Sequence, residues 1–79
     1  MENDIKSLIE KMETEHNRLI DMSVEAFTIS DEMEKICPNN RQMEDVLDQI
    51  VTARDELKEA INLLKSTLSD IKKVDTLCN

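Results

Sequence analysis

Glu13-Thr-Glu-His16 is the one place where metal chemistry can be written onto this chain. Glu-x-x-His sets a carboxylate and an imidazole on one helix face, as in bundles that hold iron or manganese between carboxylates, and a homodimer would supply two copies. Such a centre also needs an inward Glu from each opposing helix. A hairpin brings Leu63, Leu64, Lys65 and Ser66 opposite residues 13–16, and none of these is an acid, so neither metal nor cofactor is expected. Nucleophilic catalysis needs a thiol or hydroxyl beside a histidine with an orienting acid. The single histidine, His16, is mid-helix, while Cys37 and Cys78 fall at helix ends several turns away. Without any glycine there is no phosphate-cradling loop. No catalytic residue emerges, and the chain reads as non-enzymatic.

Those residues are placed by the stretch Cys37-Pro-Asn-Asn-Arg-Gln42, which holds the only proline. Proline lacks the N–H a helix needs and pushes the preceding residue out of the α region, so a helix arriving at Ile36 should stop there. Asn39 or Asn40 can cap the next helix, and Asn39 with Gln42 approximates a capping box. The reading is all-α: an antiparallel two-helix coiled-coil hairpin in a single domain, 1–79, with helix one over about 4–36, a turn at 37–42 and helix two over about 42–77. Cys37 at the turn and Cys78 at the open end are then separated by roughly 50 Å at about 1.5 Å per residue, too far to bridge.

Each arm carries a heptad rhythm. Helix one reads Ile5, Leu8, Met12, Glu15, Leu19, Met22, Ala26, Ile29, Met33, Ile36, with Glu15 the one polar exception. Helix two reads Met43, Val46, Ile50, Ala53, Leu57, Ala60, Leu64, Thr67, Ile71, Val74, Cys78. Folded about the turn with a constant residue-number sum of 79, seam positions meet seam partners throughout, from Ile5 with Val74 to Ile36 with Met43. Ala26 falls opposite Ala53 as a close-approach layer. Phe27-Thr28-Ile29-Ser30 is the weakest helical stretch, and Ser30 before Asp31 and Glu32 suggests a kink.

Apolar residues remain beyond this seam. Ile9, Leu47, Ile61 and Leu68 would widen it, whereas Ile20, Val24, Phe27, Val51 and Leu63 point elsewhere and are the expected partner-binding residues. A chain of 79 residues buries little core, so a second hairpin or another protein's helices should complete a four-helix bundle. The expected partner is a protein or the chain itself, with a homodimer favoured.

Composition agrees. Glu, Asp, Lys, Leu, Ile and Met dominate, with one Phe and no Gly, Trp or Tyr. A net charge of −8 excludes direct nucleic-acid binding, which needs clustered Lys and Arg. The N-terminus has neither the basic nor the apolar region of a signal peptide, and no apolar run exceeds two residues, so no membrane span is expected and the location is read as cytoplasmic. Acids crowd the turn end as an acidic tip: Asp31, Glu32, Glu34, Glu44, Asp45 and Asp48, offset in part by Lys35 and Arg41.

The sequence thus points to a helical-hairpin interaction module. Two alternatives are an acidic inhibitor that mimics nucleic-acid charge on a basic partner and a helical chaperone for an aggregation-prone partner, for which five methionines suit.

Overall fold

The computed structural model describes the backbone of residues 1–78 and the side chains of residues 1–73. Two helices account for it: α1, Glu2–Ile36, and α2, Gln42–Cys78. There are no strands among the described residues. The helices fold back on each other into a rod whose Cα extents are 65 × 15 × 11 Å. The expected pairing of Ile5 with Val74, and the side chains of Leu77 and Cys78, lie outside the described residues.

α1 starts at Glu2, two residues ahead of the expected start near residue 4. Met1 supplies no side-chain cap, but its carbonyl accepts from Ile5 N–H at 3.1 Å, and Glu2 and Asp4 face the positive pole of the helix. At the other end Cys37 leaves the helical region, at φ −134° and ψ 74°, as a residue before proline must. Asn40 N–H then donates to Cys37 C=O at 3.0 Å, closing a turn with Pro38 at its second position. Asn40, not Asn39, supplies the cap: its Oδ1 accepts from Gln42 N–H at 3.0 Å. α2 runs through to Cys78 with no basic residue in its last turn.

α1 is unbroken through Phe27–Ser30. Its hydroxyls turn back onto the helix, with Ser23 Oγ donating to Ile20 C=O at 2.7 Å and Thr28 Oγ1 to Val24 C=O at 3.1 Å. Both hydroxyls are tied to carbonyls of their own helix, and neither caps a new one.

The seam differs from the expected one. Apart from Glu2, the residues of α1 that are buried or half-buried are Ile5, Ile9, Met12, His16, Leu19, Ser23, Ala26, Ser30 and Met33. On α2 the matching set along the seam is Met43, Leu47, Ile50, Arg54, Leu57, Ile61, Leu64, Leu68 and Ile71, and Glu44, Val51 and Ala60 beside it are half-buried as well. Both step by four and three, so the heptad is real. Ile5, Met12, Leu19, Ala26 and Met33 keep their expected place, but the alternate positions rotate by one residue: Ile9 replaces Leu8, His16 replaces Glu15, Ser23 replaces Met22 and Ser30 replaces Ile29. On α2, Leu47, Arg54, Ile61 and Leu68 likewise replace Val46, Ala53, Ala60 and Thr67. The Ala26 to Ala53 layer therefore does not form, since Ala26 is buried and Ala53 exposed.

Size explains the choice. This rotation turns Leu47, Ile61 and Leu68 inward in place of Val46, Ala60 and Thr67. The small Ser23, Ala26 and Ser30 of α1 then leave room for the bulky α2 side chains near Ile50, large against small, as close packing requires. Arg54 lays its stem along the seam and sends its guanidinium out to Asp55 Oδ1 at 3.1 Å. The register is close to that expected: Lys65 Nζ reaches Glu13 Oε1 at 3.7 Å, one residue from the Ser66 that the constant sum sets there.

Candidate association surfaces

With the buried positions as a and d of a heptad, each helix keeps two flanking positions, e and g. In an antiparallel pair the e positions of the two helices lie side by side on one broad face and the g positions on the other. The Glu13 to Lys65 ion pair joins two e positions and fixes this assignment.

The e flank is mostly charged. α1 contributes Lys6, Glu13, Ile20, Phe27 and Glu34, and α2 contributes Glu44, Val51, Lys58, Lys65 and Lys72. At its centre the register sets Phe27 level with Val51, with Ile20 one turn away and Val24 beside both on the outer face of α1. Phe27 is 63% exposed and Val24 61%. Four of the five expected partner-binding residues are thus brought together. The fifth, Leu63, is 71% exposed but projects from the opposite side, next to the g flank.

The g flank is the surface that sequence reasoning missed. It carries Leu8, Glu15, Met22, Ile29 and Ile36 from α1 and Val46, Ala53, Ala60 and Thr67 from α2, with Glu15 its single charge. These are the residues assigned to the seam, and the one-residue rotation moves them to its flank, where all but the half-buried Ala60 are exposed. Leu8, Met22, Ile29 and Val46 are each between 43% and 48% exposed, which makes this the longest apolar face of the hairpin. Glu15 is not a polar residue within a core: it is exposed and accepts from Arg18 Nη1 at 2.9 Å. The available signal was bulk, because a, d and g together read as three apolar positions per heptad, the pattern of a helix with neighbours on two sides.

At the tip, Asp31 forms an ion pair with Lys35 at 3.7 Å, and Glu44 accepts from Arg41 Nη1 at 3.4 Å. Glu34 and Glu44 flank one shallow crevice beside Pro38, while Glu32, Asp45 and Asp48 are exposed. Arg41, paired with Glu44, lines the same crevice.

Glu13 and Glu15 are each held by a cation, and His16 lies half-buried in the seam between Met12 and Leu19. No group of three His, Cys, Asp or Glu side chains converges among the described residues. No helix among them is long and apolar enough to cross a membrane. Comparison of the chain with family models, curated proteins and solved structures finds no match.

Proposed function

We propose that the protein is a non-enzymatic helical-hairpin association module, acting as a homodimer or as a small subunit of a larger helical assembly in which the hairpin forms part of a four-helix bundle. One observation carries this reading: the imbalance between core and surface. Among the described residues only Ile9, Ala26 and Ile61 are buried apolar side chains, whereas ten large apolar side chains are exposed. The accessible surface is 6132 Å², against about 4,900 Å² for a compact monomer of 9.1 kDa. A hairpin with so thin a core gains most of its missing burial from another helix pair. Its acids then act on rate and orientation of encounter more than on affinity.

The test places one charge in each apolar surface, with Met22→Asp and Phe27→Asp combined. Both residues are exposed in the hairpin, so helicity is expected to persist while the wild-type assembly, recovered either as a self-complex or with its partner, dissociates. Retention of the full assembly by the double variant would overturn the reading.

A further inference from the structure

Resting on the association reading, we infer that the g flank is the seat of a second copy of this chain, packed flank to flank with the two hairpins antiparallel, so that each acidic tip lies beside the open end of the other molecule.

Three observations lead to it. First, the flank is self-complementary. The register that pairs Glu13 with Lys65 sets Met22 of α1 level with the midpoint between Ala53 and Ala60 of α2. A two-fold axis crossing the rod at that level puts Met22 against the partner's Met22, Leu8 against the partner's Ile36 and Ala53 against the partner's Ala60. The same axis therefore serves both helices. α1 meets its copy through Leu, Met and Ile side chains, and α2 meets its copy through alanines that allow close approach. The same axis sets Glu15, tied to Arg18, against the partner's Ile29, the one charged position within the face.

Second, charge selects the direction. Residues 31–48 carry six carboxylates and two cations, whereas residues 1–11 and 65–73 together carry five lysines and four carboxylates. Parallel hairpins would set two acidic tips side by side. Antiparallel hairpins set each tip beside the lysine-bearing end, so the tip repulsion left within one hairpin becomes an attraction between two. The e flank offers no such face, because charges occupy seven of its ten positions.

Third, the area suffices. A face 65 Å long and 15 Å wide offers about 1,000 Å², above the roughly 800 Å² per partner of a stable interface.

Site-directed cross-linking tests the proposal on full chains carrying Cys37→Ser and Cys78→Ser, with a short bis-maleimide and sedimentation of the same samples. Met22→Cys is expected to move almost wholly to a two-chain band. Ala53→Cys and Ala60→Cys should link when mixed and far less when alone, while Phe27→Cys should stay at the one-chain band. Circular dichroism checks that each variant keeps its helicity. A dimer that links through Phe27→Cys, or a Cys78→Ser protein whose native Cys37 thiols link tip to tip, would overturn this inference and leave the association reading standing. A single-chain mass at every concentration would overturn the inference, and would leave the association reading only its hetero-assembly form.

Discussion

Ile61 is the only fully buried side chain among the described residues, 1% exposed, and the cost of removing it measures how much the thin core contributes. Truncating such a residue loses transfer energy and leaves a cavity that rigid helices fill poorly, so Ile61→Ala is expected to destabilise by about 3 kcal/mol. Ser23 is a useful contrast, being buried at 8% exposure but bonded only to its own helix. Ile20 C=O keeps the backbone amide of the next turn when that hydroxyl is removed, and alanine is the better helix former, so Ser23→Ala should stay within about 1 kcal/mol of wild type, on the stabilising side. Urea unfolding at one fixed protein concentration compares the two, because association would otherwise shift the midpoint. Asn40→Ala removes the acceptor for Gln42 N–H and is expected to cost about 1 kcal/mol in the same assay.

At the level of the helices, α1 and α2 and the turn between them follow from local chemistry. Pro38 stops one helix, Asn40 starts the next, and alternating steps of three and four amphipathic residues set their length. This much was legible. The rotation of the seam was not, because a, d and g are all apolar over much of both helices and periodicity alone admits two seams one residue apart. Bulk decided between them: Leu47, Ile61 and Leu68 turn inward at the expense of Val46, Ala60 and Thr67. α1 must then present His16, Ser23 and Ser30 to the seam, residues that a purely apolar pattern assigns to solvent. The same slip hid the longer apolar face, since Leu8, Met22, Ile29 and Val46 were counted as core. The tip follows from charge alone. Glu34 and Glu44 share one crevice, so Glu34→Lys should stabilise the hairpin by about 0.5 kcal/mol, and the gain should shrink as added salt screens it. A gain that is unchanged in high salt would show that helix propensity, not repulsion at the tip, is responsible.

For the whole molecule, the account turns on incompleteness. A rod of 65 × 15 × 11 Å cannot enclose a core, and its two broad faces differ: one mostly charged with an apolar island at Phe27, the other apolar along its length. Such a rod gains stability by adding helices, and its unfolding midpoint should rise with protein concentration. The measurement that bears most directly on this is sedimentation equilibrium of the wild-type chain under reducing conditions across a wide concentration range. The expected result is a mass of twice 9.1 kDa that falls toward one chain only on strong dilution. A mass of 9.1 kDa throughout, with unfolding that stays cooperative and independent of concentration, would contradict the claim that the hairpin is half of a bundle.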